Sequence, residues 1–132
     1  MNTEQKTALV TGAGMGIGLA CAEAFARAGY ITVLADINEP KEQANTLVSE
    51  GYQAVAYQID VADTQAVKKM IGWIVSEYGH LDAAHNNAGI QTPQRPMAEI
   101  ADDEFDRTVA VDLKGVWNCM RYEICLLYTS PS

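Results

Sequence analysis

The chain has 132 residues, 48% hydrophobic and 20% charged, which bounds it to about one globular domain and excludes a disordered or fibrous chain. Lys and Arg total 9 against 17 Asp and Glu, a net charge of −8 that argues against nucleic acid and anionic membrane as partners. The three cysteines (Cys21, Cys119 and Cys125) form no C-x-x-C pair, so neither a disulfide framework nor a metal site is expected, and a reducing cytoplasm is the expected compartment.

No apolar run has membrane-spanning length, and Gly12, Gly14, Gly16 and Gly18 break up any signal-peptide core, so residues 7–28 read as mature structure. Thr7–Val10 reads as a buried strand and Gly12–Gly18 as a turn. Ile17, Ala20, Cys21, Ala24, Phe25 and Ala28 then recur with helical period, and Gly29 is a stop signal. Ile31–Ala35 is a second strand, Pro40 opens a second helix running to Glu50, and Val55–Ile59 is a third strand. Asp63 or Thr64 caps a third helix whose face is Val67, Met70, Ile71, Ile74, Val75 and Tyr78, ending at Gly79. Leu81–His85 is a fourth strand. After a loop over Ile90–Met97, a fourth helix begins near Asp102 with Phe105, Val109, Leu113, Val116, Trp117 and Met120 on one side. His80 and His85 have no carboxylate cluster at metal spacing and read as structural.

Strands alternating with helices imply parallel pairing and right-handed crossovers. The expected class is α/β: a three-layer, doubly wound parallel sheet with strand order 3-2-1-4, truncated before the later strands of a dinucleotide-binding fold. The strongest local signal is Thr11-Gly12-Ala13-Gly14-Met15-Gly16-Ile17-Gly18, between a strand and a helix. Glycines there permit a tight turn and close approach of backbone to a pyrophosphate, while the helix N-terminus supplies free N–H groups. A glycine turn without a ligand is the plainer alternative. A phosphate loop would need a Lys, and none lies between Lys6 and Lys41. An S-adenosylmethionine site would usually carry an acidic residue where Thr11 stands. Asp36, 18 positions after Gly18, can accept from both ribose hydroxyls and would repel a 2′-phosphate, which points to NAD over NADP. Its alternative is a cap on the turn at Asn38.

These stretches, with Asp60-Val61 after the third strand and Asn86-Asn87-Ala88-Gly89 after the fourth, resemble the short-chain dehydrogenase/reductase family, over residues 5–124. The resemblance implies a Rossmann fold binding NAD. It implies that Gly12, Met15, Gly16, Ile17 and Gly18 wrap the pyrophosphate, that Asp36 holds the adenosine ribose, and that Asp60 and Val61 meet the adenine. Asn87, Ala88 and Gly89 would lie along the cofactor, and Asn86 would mainly brace the sheet. The implied chemistry is hydride transfer between nicotinamide and a small alcohol or carbonyl substrate, in a cytoplasmic homodimer or homotetramer.

The family's acid/base Tyr has a Lys four residues later, on one side of a helix, where the Lys lowers its pKa. No Tyr of this chain does: the residues at that interval are Leu34, Ala56, Val61, Asp82, Leu126 and Ser132. The chain is therefore expected to lack the catalytic Ser and the Tyr-x-x-x-Lys, and to be inactive by itself. The family's helix Asn falls at Asp112, which departs from it: a carboxylate accepts where Asn also donates. On the face of Phe105, Val109 and Leu113 it would be partly buried and need a partner, either in catalysis or as a local backbone N–H. A non-catalytic dinucleotide sensor on the same fold is the alternative function, and a methyltransferase the third. Residues 125–132 depart abruptly from the family and resemble translated sequencing adapter, so they are expected to be foreign to the 1–124 domain. In the chain as it stands, Trp117, Val116 and Met120 are expected to be exposed.

Overall fold

The structure, a computed structural model, describes residues 5–129, with side chains through residue 126. Strand β1 (Thr7–Thr11) is buried at every position, as a strand covered on both faces must be. It pairs in parallel with β2 (Ile31–Asp36) on one side and β4 (Ala83–Asn86) on the other, and β3 (Ala54–Gln58) lies outside β2. The order β3-β2-β1-β4 and the α/β class are those the sequence predicts. Successive side chains of β1 point to opposite faces: Leu9 joins one apolar cluster and Val10 the other. Helices α1 (Gly16–Arg27) and α2 (Lys41–Ser49) cover the Val10 face. Helix α3 (Thr64–Tyr78) covers the Leu9 face with α5 (Val116–Thr129) beside it.

Helix α3 follows its sequence reading. Asp63 accepts from the Ala66 N–H at 3.1 Å, the buried face is Val67, Met70, Ile71 and Ile74, and Gly79 closes it at φ +86°. Helix α1 does not. Ile17 is 73% exposed, and Ala20, Ala24 and Ala28 also face solvent; Gly18, Ala22 and Ala26 are the buried stripe. Alanines occur on every side of this helix, so apolar period alone does not select a face. Packing does, by choosing the row whose small side chains let the backbone lie close to the sheet. The fourth strand also starts later than predicted, at Ala83. His80 is held by Asp82 at 2.6 Å, and the same carboxylate oxygen accepts from the Thr7 N–H.

The predicted fourth helix is three pieces: α4 (Asp102–Val109), a π-helical turn (Ala110–Gly115) and α5. The wider turn changes the helical phase along this segment, and the apolar side points outward, as expected for Trp117 and Met120. Phe105, Leu113 and Trp117 are 61%, 69% and 60% exposed, with Met120 exposed and Val116 half-buried. Val111, Gly115, Asn118, Cys119 and Glu123 face inward instead. A Cβ on Gly115 would stand 2.6 Å from Val61 Cγ2, so this contact requires glycine. Helix α5 continues through Thr129, and residues 130–132 lie outside the described residues.

Glu123, 2% exposed, joins α5 to the end of β4 by accepting from Asn86 Nδ2 at 2.8 Å. Glu123 Oε2 and Asn86 Oδ1 are both buried without a partner. Burial raises the Glu123 carboxyl pKa, against the opposing hydrogen bond from Asn86. Because the folded value is raised, this group's contribution to stability is whole below the ordinary carboxylate pKa and is lost as pH rises through the folded value. Glu123→Gln removes the charge and offers an N–H to Asn86 Oδ1. It is expected to gain about 1–2 kcal/mol at pH 8, or about 3–8 °C in Tm, and little at pH 4. Thermal melts at the two pH values check this, and equal or opposite shifts would contradict it.

Candidate functional site

The site is built at the carboxyl edge of the sheet, where β1 turns into α1. Gly12 and Gly16 have φ of +66° and +59°, the left-handed region that side chains disfavour. At Gly12 and Gly18 space also forbids a side chain. A Cβ on Gly12 would stand 2.9 Å from Ala88 Cα, and one on Gly18 2.1 Å from the Gly12 carbonyl oxygen. The loop after β4 is tied to the start of this turn by two hydrogen bonds. Asn87 Nδ2 donates to the Gly12 carbonyl at 3.3 Å, and the Ala88 N–H donates to Thr11 Oγ1 at 3.1 Å. Helix α1 starts at Met15 without a side-chain cap and with no acidic residue in its first turn. Its positive end is thus left available to an anion.

Two carboxylates stand along the same edge. Asp36, ending β2, accepts from the Gly14 N–H at 2.8 Å and the Ile37 N–H at 2.7 Å, one on each oxygen. Each oxygen keeps a second lone pair, so the group is oriented and can still accept. Asp60, beyond β3, accepts from the Ala62 N–H at 3.0 Å and from Arg107 Nη1 at 3.2 Å. Asn118 donates to the Val61 carbonyl at 2.9 Å, while its own amide oxygen accepts from Thr64 Oγ1 at 3.1 Å. This buried side chain fixes the backbone next to Asp60.

One cleft of about 740 Å³ runs between these groups. Gly12, Met15, Asp36, Asp60 and Val61 line it, and Asn87, Ala88 and Gly89 close the side toward β4. Gly16, Ile17 and Gly18 do not line it: Gly18 is buried beneath the turn, and Ile17 projects into solvent. Asp112 is not among the lining residues either. Contrary to the sequence expectation it is exposed, because the π-helical turn swings it off the buried side. It has a backbone partner, accepting from the Ile90 N–H at 2.7 Å.

Arg107 and Gln43 line the cleft as well, and sequence reasoning found neither. Arg107 meets Asp60 across 47 positions, and Gln43 Nε2 donates to the Gly14 carbonyl across 29, at 2.7 Å. Neither pairing leaves a local pattern to read. Asn118 was hidden for the same reason: it bonds to Val61 across 57 positions, from outside the apolar side read in that helix.

The short chain dehydrogenase family profile matches residues 6–129. An oxidoreductase of Bacillus subtilis (strain 168), YxbG, is 39% identical over 126 residues, which are 94% of this chain and 46% of that one. Among solved structures, a 3-ketoacyl-ACP reductase from Sinorhizobium meliloti 1021 superposes with a TM-score of 0.87 at 34% identity, covering 92% of this chain and 48% of the other. An alcohol dehydrogenase from Thermococcus sibiricus, complexed with 5-hydroxy-NADP, gives a TM-score of 0.88 at 30% identity, covering 96% of this chain and 55% of that one. The chain spans about half the length of the curated relatives it matches.

Proposed function

The chain belongs to the short-chain dehydrogenase family, and from that premise we propose that it is the NAD-binding half of an oxidoreductase. The observation carrying this reading is the uncapped amide end of α1 and the oriented Asp36 carboxylate on the edge of one cleft. Gly12, Met15 and the first-turn amides at Gly16, Ile17 and Gly18 would hold the diphosphate. Gly16–Gly18 act through backbone N–H groups or turn shape, which fits side chains that stay out of the cleft. Asp36 would accept from the ribose diol, Asp60 from the exocyclic amine of adenine with Val61 beside it, and Asn87, Ala88 and Gly89 would follow the cofactor toward its nicotinamide. Bound there, the cofactor supplies a hydride acceptor or donor for a small alcohol or carbonyl.

The preference for NAD rests on charge. Asp36 would repel a 2′-phosphate, and the nearest β2–α2 cation, Lys41, is engaged by Glu39 at 3.4 Å. The relative solved with 5-hydroxy-NADP binds the phosphorylated form, so this preference is the chain's own feature to test. The proposed whole protein is a cytoplasmic homodimer or homotetramer supplying the Ser and Tyr-x-x-x-Lys from its further length, and this chain alone does not turn over alcohol. A non-catalytic sensor is the second reading, favoured by Asp112 being engaged with the Ile90 N–H. Recovering a Tyr-x-x-x-Lys downstream in the gene would decide for the enzyme.

Calorimetric titration of the purified chain tests the binding reading. NAD is expected to bind at least tenfold more tightly than NADP, and S-adenosylmethionine not at all. No heat with NAD, or tighter binding of NADP, would overturn it.

A further inference from the structure

We propose that Gln43, on the first turn of α2, is a positioning residue that holds the glycine turn in its diphosphate-binding shape. The inference rests on the dinucleotide reading above.

Gly14 sits in the middle of that turn, and the peptide on each side of its Cα is held by the β2–α2 limb. Its N–H donates to Asp36 at 2.8 Å, and its carbonyl accepts from Gln43 Nε2 at 2.7 Å. The limb approaches so closely that a Cβ on Gly14 would stand 2.9 Å from Asp36 Oδ2. A third bond, from the Ala13 N–H to the Ala35 carbonyl at 3.1 Å, anchors the preceding peptide to β2. Gln43 is half-buried and lines the cleft, so its amide is shielded from full competition by water.

Without Gln43, the Gly14 carbonyl loses the donor that fixes its direction. The Gly14–Met15 peptide can then rotate about the Gly14 Cα, while the Ala13–Gly14 peptide stays tied to Asp36. Rotation turns N–H groups of a flexible glycine turn away from the anion, so binding must first restore their order. A carboxylate only accepts, so the Gly14 carbonyl needs the amide donor of Gln43. Asp36 braces the Gly14 and Ile37 N–H groups with one lone pair each and keeps others for the ribose. The Gln43 amide is bonded to the Gly14 carbonyl, and its proposed effect on a ligand passes through Gly14.

This predicts a split by ligand. Gln43→Ala is expected to weaken NAD and ADP by about threefold to tenfold while leaving adenosine within twofold, because adenosine carries no diphosphate. Gln43→Glu keeps the shape, sets an acceptor against a carbonyl, and is expected to lose at least as much. NMR shift titrations with NAD, ADP and adenosine read all three affinities, and the spectra report whether each variant is folded. Equal losses for all three ligands would mean a merely structural role and would overturn the proposal. So would unchanged ADP affinity in both variants, or a Glu variant matching the parent. If the parent chain binds neither NAD nor ADP, the dinucleotide reading itself fails, a result distinct from any of these.

Discussion

Alanine at Gly18 is expected to cost the chain about 3 kcal/mol or more, against a typical total of about 5–15. The added carbon would stand 2.1 Å from the Gly12 carbonyl oxygen, 2.8 Å from its carbon and 2.6 Å from Asn87 Nδ2. Two of these atoms are backbone in a turn already packed on the loop after β4, where a Cβ on Gly12 would itself stand 2.9 Å from Ala88 Cα. Relief requires α1 to move off the sheet, which opens the contacts of Ala22 and Ala26. Gly16→Ala is the contrast. Nothing lies within 4 Å of its Cβ, so only the left-handed backbone at φ +59° is strained, at about 1–2 kcal/mol. Urea midpoints of the two variants measure the difference. A Gly18 variant as stable as the Gly16 one would mean that the turn is not packed as described.

Asp36→Ala is expected to weaken NAD by roughly 10- to 150-fold, since hydrogen bonds to a charged group are worth about 1.5–3 kcal/mol. Two losses combine. The ribose diol loses its acceptor, and the Gly14 and Ile37 N–H groups lose theirs. NADP is expected to suffer less, because removing the carboxylate also removes its repulsion of a 2′-phosphate. The ratio of the two affinities should therefore move toward NADP. Titration of both cofactors checks this, and parallel losses would show Asp36 acting on the turn alone.

Much of the fold is visible in the sequence because its signals are local. The capped face of α3, the glycine stops at Gly29 and Gly79, and the strand alternation all lie within windows of one element. The strand order follows from the dinucleotide-binding fold that the alternation and the glycine turn after β1 point to. The face of α1 was not legible because alanine carries no direction, and small side chains win burial by proximity. The π-helical turn was not legible because the apolar period does not mark it, and the close packing of Gly115 on Val61 spans 54 positions. The site divides in the same way. Gly12, Asp36, Asp60 and Asn87 announce themselves at strand ends, whereas Gln43, Arg107 and Asn118 act through bonds that only the folded chain creates.

The stripe of Gly18, Ala22 and Ala26 works as a spacer that sets how high α1 rides above the sheet. At 1.5 Å of rise per residue, Ala26 lies about 12 Å along the axis from Gly18, yet both set the same clearance. A bulkier residue drifting into Ala22 or Ala26 would tilt the whole cylinder and re-aim its amide end. The proposed nucleotide seat thus inherits its alignment from two methyl groups buried beneath the helix.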